Sequence, residues 1–280
     1  MKNFLSFILY YSGISYLFFL LYNRKGTIRA VNYHCTPSTF VNNFEKHVKF
    51  YKRHFRNINL NDLEEFFNST KVSSPGIIIT FDDGLRSNYD YSVGTLEKYS
   101  LTGWFCVPVQ FVHNPTKVFA ENSSIQLKQL YSDNRYSMNL NELIILSDNH
   151  VIVSHTNSHY RFNESDSLDK LNYEIFSSKN ELSDLIGCNI QVFCWVGGEL
   201  LHYTKNAYIN IIQAGYKFSF TTNNFLIGKN SDPFNLNRTN IETHYPMHLL
   251  LFQLSGLMDI FYLVKRKKVG FKFYGNDINR

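Results

Sequence analysis

The stretch "GIIITFDDG" at residues 76–84 runs an oily, β-branched segment straight into two adjacent carboxylates and a glycine. A short apolar run bounded by turn residues reads as a buried strand. Asp82 and Asp83 then stand just past its C-terminal end. Neighbouring like charges each oppose the other's ionisation, so the pair needs either open water or a positive partner. A surface turn supplies the first and a metal ion the second. The rest of the chain has to decide between them.

Working outward, strand-like and helix-like segments alternate. "TIRAVNYH" (27–34) reads as a strand, and Phe40, Phe44, Val48, Tyr51 and Phe55 then recur at helical spacing. "NINL" (57–60) is a short strand, with Asn61 placed to cap the helix "DLEEFF". After "GIIITF", "YSVGTLEKYS" reads as helix, "GWFCVPV" (103–109) as strand and "NELIILSDN" (141–149) as helix. "HVIVSH" (150–155) is a strand, about 166–186 a long helix, and "QVFCWV", "TKNAYINIIQAG" and "YKFSFTT" continue the alternation, with Gly215 where a helix C-cap belongs. About seven β–α units in a row predict a single α/β domain on a mainly parallel sheet, open or closed into a barrel. Ligands of such folds meet the C-terminal ends of the strands. His34, the Asp82–Asp83 pair and His155 each end a strand, so they share one rim. Val112 to Ser137 shows no clear period, and such a long loop is expected to shape a substrate site.

The net charge of +5 (28 basic, 23 acidic) comes with no long basic stripe or Arg-rich motif, which argues against nucleic acid as a partner. Cys35, Cys106, Cys188 and Cys194 form no C-x-x-C pair and read as free thiols, weakly favouring a reducing compartment.

The two ends point to a membrane. Phe4 to Tyr22 carries no charged residue and just reaches the length of a transmembrane helix. Gly13, between Ser12 and Ser15, splits it, which suits a bent or interfacial helix, docked on the domain or lying on a bilayer, better than a clean span. If the run spans, Arg24, Lys25 and Arg29, which follow closely, would favour a cytoplasmic C-terminal side. At the other end, "FYLVKRKKVGFKFY" (261–274) sets Lys265 to Lys268 among apolar groups, as a solvated tail or a contact for anionic headgroups. The expected organisation is a hydrophobic helix over 1–26, a catalytic domain over 27–260 and a basic aromatic tail over 261–280. The expected location is peripheral, on the cytoplasmic membrane.

His155 and His159, in "SHTNSH", are four apart, which on a helical turn puts both imidazoles on one side of a metal ion. Both this pair and the aspartates follow an apolar strand, and Gly84 relieves the backbone just past the carboxylates. One aspartate with two histidines is a familiar ligand set with open positions. One carboxylate then ligates, its neighbour stays free to take a proton, and the cation removes their repulsion. Trp195 reads either as core or as a sugar-stacking platform. Cys35 beside His34 would point to the opposite face of the strand, so it reads as a buried thiol rather than a nucleophile.

"TFDDG" (Thr80–Gly84) and "HTNSH" (His155–His159) resemble the first two motifs of the polysaccharide deacetylases of carbohydrate esterase family 4, the NodB homology domain. "VNYHCTP" followed by an F-x-x-H helix resembles the opening of the branch that begins with a Tyr-His strand. "FCWVGG" occupies the place of the family's aromatic-Pro-Gly segment, with Val196 where proline is usual. "LNRTNIE" is similar to its closing Arg strand. The resemblance covers about residues 27 to 260. It implies a deformed (β/α) barrel and metal-dependent removal of N-acetyl groups from amino sugars. Carried over by residue, Asp82 is the general base; Asp83, His155 and His159 are the metal ligands; His34 is the general acid; and Arg238 holds Asp82 ionised. Trp195 and Gly197 are the substrate-binding candidates. The cofactor implied is one divalent metal ion, zinc first, with Fe, Co, Ni or Mn also accepted by such a set. The substrate implied is an N-acetylated saccharide, and the apolar ends favour a lipid-linked one or a nascent surface glycan. His244 and His248 read as structural. The competing readings are a catalytically silent carbohydrate binder on the same fold and a hydrolase of a non-sugar amide.

Overall fold

The computed structural model describes residues 2–71, 73–114, 131 and 133–274. Its centre is a parallel barrel of seven strands: β1 (Ile28–Tyr33), β3 (Gly76–Phe81), β4 (Gly103–Val107), β5 (Val151–Ser154), β6 (Val192–Cys194), β7 (Phe218–Thr221) and β8 (Leu236–Asn240). Each pairs with the next, and β1 closes the ring by pairing with both β3 and β8. A two-residue strand, β2 (Arg56–Asn57), adds to β3 at Gly76 and Ile77. The fold is therefore the (β/α) barrel that the sequence predicts, closed rather than open.

Side chains alternate along each strand, and the barrel sorts them into two sets. Ala30, Ile78, Trp104, Cys106, Val153, Cys194, Phe220 and Leu236 pack together inside the barrel. Val31, Tyr33, Ile79, Phe81, Phe105, Phe193 and Trp195 pack outward against the helices. Continuing the inward set past each strand end reaches His34, Asp82 and His155, while Arg238 lies inward on β8. The parity of the strands thus aims four separate pieces of sequence at one mouth.

The helices follow their apolar spacing, with local differences. Val41–His54 buries Phe44, His47, Val48 and Tyr51, and the Tyr33 hydroxyl meets both His47 Nδ1 (3.0 Å) and the Tyr51 hydroxyl (2.6 Å). Asn59, not Asn61, caps the next helix, Leu60–Asn68: its side chain accepts from the Asp62 N–H while Asp62 accepts from the Asn59 N–H. That reciprocal box fixes the start earlier than the sequence reading placed it. The expected helix over 91–100 is two short ones, Arg86–Tyr91 and Val93–Lys98. The long helix runs from Leu168 to Ile186 through a π-helical turn at Asn172–Ser177. Gly215 takes φ +75° just beyond Lys205–Gln213, the left-handed conformation a helix stop requires. Most of the unpatterned stretch, residues 115–130 and 132, lies outside the described residues.

Both ends of the described chain are docked on the barrel. Helices α1 (Lys2–Tyr11) and α2 (Ile14–Tyr22) meet at an 84° bend, with Gly13 between them at φ +76°. Phe19 of α2 is buried against Phe50 and Phe55, and the Asn23 amide donates to the carbonyls of Phe19 and Leu254. Ser6 of α1 bonds His248 on the helix Met247–Leu254. No single described helix is long and apolar enough to cross a membrane. Arg29 is not a juxtamembrane cation: it sits buried in β1, 3.2 Å from Asp259, which also accepts from the Tyr22 hydroxyl at 2.7 Å. The expected tail is a helix, Leu263–Tyr274, that buries Val269 and Phe273. Phe273 stacks on Trp195 with ring centroids 5.4 Å apart.

Candidate active site

The site lies in a cleft of about 430 Å³ at the C-terminal mouth of the barrel. Asp82 and Asp83 leave β3 in opposite directions because the backbone turns sharply there. Asp83 adopts φ +71° and Gly84 φ +58°. A left-handed aspartate is strained, and such strain persists where the surroundings hold it. Thr156 (φ +63°) and His159 (φ +59°) show the same conformation in the second loop.

Asp82 points inward onto Arg238, which is fully buried on β8. The two form a bidentate pair, Nη1–Oδ1 at 2.5 Å and Nη2–Oδ2 at 2.9 Å. Arg238 Nη1 also donates to the Thr80 hydroxyl at 2.9 Å. Burial alone would push the Asp82 carboxyl up, but the Arg238 guanidinium, with His155 and His34 nearby, brings it down to about 2. Asp82 is thus a buried carboxylate held ionised and aimed at the cleft.

Asp83 turns the other way, toward the histidines. Its Oδ1 lies 3.0 Å from His159 Nε2 and 3.6 Å from His155 Nε2. Burial would raise its carboxyl too, yet the two imidazoles beside it hold it well below the usual range. One donor atom from each of Asp83, His155 and His159 falls within 4.8 Å of the others. His155 Nδ1 lies 2.9 Å from the Cys194 carbonyl, so that nitrogen donates its proton and Nε2 is left as a ligand atom. Nitrogen and oxygen donors around one point, with the ring tautomer fixed from behind, are the donor chemistry of a divalent transition metal. These residues fit the cation that the sequence predicts.

His34 stands across the cleft and is the accessible member of the group, its side chain 40% exposed. Its Nε2 is 4.0 Å from Asp82 Oδ2 and its Nδ1 is 3.8 Å from Glu242 Oε1. Gly197 lines the cleft at φ +78°, beside Gly198 and Glu199. Trp195 does not offer a sugar platform. It is buried on the outward side of β6, and its indole N–H donates to Ser219 at 2.8 Å. Cys35 is a thiol, not a nucleophile: burial pushes it up to about 11, and its sulfur meets Ser87 at 3.3 Å. His248 is engaged by Ser6, and His244 packs on Phe40 and Tyr245, both away from the cleft lining.

Three contributors were not visible in the sequence. Tyr262 and Lys265, from the segment expected to be a tail, form one wall of the cleft. Lys265 Nζ donates to the Thr222 carbonyl at 2.7 Å, and burial pulls its amine down to about 8 against the pull of Glu199. The third is Glu174, buried in the π-helical turn, where no spacing rule would single it out. It accepts the N–H groups of Asn157 (3.0 Å) and Ser158 (2.9 Å) and the Ser158 hydroxyl (2.6 Å). Lys170 balances its charge at 2.9 Å. Glu174 therefore shapes the loop that carries both histidines. Glu174→Gln keeps the shape and one oxygen for both N–H groups, but its NH2 then faces the Ser158 hydroxyl and the Lys170 ammonium, which the carboxylate accepted. The expected result is about a tenfold or greater loss of zinc affinity, read by chelator competition, in a protein that still folds.

A family model described as polysaccharide deacetylase matches residues 69–219. No curated protein matches the chain. Among solved structures, the Streptococcus pyogenes deacetylase PplD, in complex with acetate, aligns with TM-score 0.65 at 17% identity, covering 81% of this chain and 98% of that one. A de-N-acetylase from Aggregatibacter actinomycetemcomitans aligns with TM-score 0.65 at 15% identity, over 80% and 98%. IcaB from Ammonifex degensii aligns with TM-score 0.59 at 16% identity, over 85% and 99%. At these identities the structural likeness speaks for the fold alone.

Proposed function

The chain belongs to the polysaccharide deacetylase family, and on that premise we propose that it hydrolyses the N-acetyl amide of an amino sugar with a divalent cation held by Asp83, His155 and His159. The observation that carries the reading is the division of labour between adjacent aspartates. One faces two imidazoles, and the other, 2.5 Å from a buried guanidinium, is left ionised in the same cleft. Acetate bound to the PplD structure is in keeping with that chemistry.

When bound, the cation would polarise the amide carbonyl and acidify water. Asp82, held ionised on Arg238 beside the ligand cluster, is the group placed to accept the water's proton. With its carboxyl near 2 it is a weak base, far too weak for ordinary water. The arrangement therefore makes sense only beside the ligand cluster. Arg238 holds Asp82 in place and spreads the charge it carries. His34 reaches the cleft from the opposite side, with Glu242 Oε1 3.8 Å from its Nδ1. From there it would give a proton to the departing amine nitrogen, which leaves poorly without one. The products are acetate and a free amino sugar.

The finer assignment is a lipid-linked saccharide or a nascent surface glycan handled at the cytoplasmic membrane. It draws on the uncharged N-terminal run and on the cations at Lys265–Lys268. A panel of N-acetylhexosamine substrates, soluble, polymeric and polyprenyl-linked, tests it through acetate release. The polyprenyl-linked member is expected to show the highest kcat/KM. A polymer outperforming it would redirect the assignment to a mature glycan. Binding without release from any member would favour the silent carbohydrate binder.

A further inference from the structure

Helices α1 and α2 are docked by one side only. Their other side presents Phe4 (71% exposed), Leu17 (56%) and Leu21 (67%), among further apolar groups. The turn before the C-terminal helix continues this surface. Met258 and Tyr262 pack with Leu9 of α1, and Asp259 accepts from Tyr22 of α2, so residues 256–262 are seated between the two helices. From that turn Phe261 (75% exposed) and Val264 point outward, and Lys268 and Phe271 extend their stripe along the helix.

We propose that this surface is a monotopic docking face for an anionic phospholipid bilayer, and that it sets the mouth of the barrel at headgroup level. Three observations choose a bilayer over another protein. The pair α1–α2 is bent by 84° and is held along the domain through Phe19, Asn23 and Ser6, a geometry suited to lying in an interface. Its exposed apolar residues are interleaved with the exposed Tyr11 and Tyr16, the side chain that favours the membrane–water boundary. The charges bordering the face, Arg24, Lys25 and Lys268, are all exposed cations, which complement anionic headgroups.

The connection to the cleft runs through Tyr262. This residue packs on the cluster that supports α1 and also lines the site with Lys265. A glycan on a lipid carrier would reach the ligand cluster past Tyr262 without leaving the membrane surface. This extension to the substrate rests on the deacetylase reading; the docking itself does not.

The test is flotation of the full chain with vesicles of phosphatidylglycerol and phosphatidylcholine, beside phosphatidylcholine alone. Wild type is expected to float with the anionic vesicles and to be released by raising the salt, which shortens the Debye length from about 10 Å at 0.1 M to about 3 Å at 1 M. The variant Phe4→Glu, Leu17→Glu, Leu21→Glu is expected to lose about tenfold or more of that partition. Its melting temperature and its acetate release from a soluble oligosaccharide should be unchanged, since none of the three touches the cleft. Failure of wild type to float on either vesicle would overturn the docking. So would a dimer in solution that the variant abolishes, because the occupant would then be a second copy. Flotation with no acetate release from any substrate would leave the docking intact and sink the deacetylase reading instead.

Discussion

Exchanging Asp82 for Asn is expected to lower kcat/KM for acetate release by about 10²–10⁴-fold, the usual contribution of a positioned general base. The amide keeps the shape of the carboxylate and leaves Asp83, His155 and His159 untouched, so bound zinc should stay stoichiometric. Parallel measurements of acetate and of metal content separate loss of the base from loss of the cation. A variant that no longer binds added zinc would show instead that Asp82 belongs to the ligand set. The substitution also strips Arg238 of its counter-charge in a fully buried position. Removing one partner of such a pair commonly costs about 3–5 kcal/mol. The assay therefore belongs well below the variant's melting temperature.

Arg238→Met is expected to have the second large effect, and its signature is in the pH dependence. In the native chain the Asp82 carboxyl is depressed from 3.8 to about 2. A depressed carboxyl contributes stability that is fully present above its unfolded value and is lost as pH falls. For the metal-free protein that loss should run between about pH 4 and about pH 2 and amount to roughly 2 kcal/mol. Without Arg238, burial of Asp82 is opposed only by the neighbouring His155 and His34 imidazoles, and its carboxyl is expected to rise above the unfolded value. The sign then reverses. The variant should become less stable as pH rises through the new value, and the acid limb of kcat/KM should move upward. Thermal melts and rate profiles across pH check both. An unshifted acid limb would mean that Arg238 supports the fold without setting the ionisation of Asp82.

Much of this arrangement was legible in the chain, for identifiable reasons. Strands such as "GIIITF" are buried on both faces, so their apolar runs are continuous and bounded by turns. Asp82, Asp83, His155 and His159 stood out because polar residues immediately after such runs have few structural uses. Trp195 reads as either core or platform as long as its type is weighed without its parity. On β6, Val192 and Cys194 face into the barrel, so Phe193 and Trp195 must face the helices. Arg29 was misread for a related reason. A cation near an apolar run looks juxtamembrane until Asp259, 230 residues later, is seen to pair with it. Glu174 and Lys265 were hidden because their partners, Asn157, Ser158 and Thr222, are brought to them only by the closed ring. Local pattern identifies elements, and contacts between distant elements decide the roles of their polar residues.

The most direct test of the central claim is the metal dependence of acetate release. The full chain would be stripped by chelator, reloaded with zinc and incubated with an N-acetylhexosamine oligosaccharide. Acetate and free amine would be quantified together. The account predicts equal amounts of the two, none from the stripped protein, and restoration at one zinc per chain. Zinc bound at that stoichiometry with neither product formed from any N-acetylated sugar would contradict it.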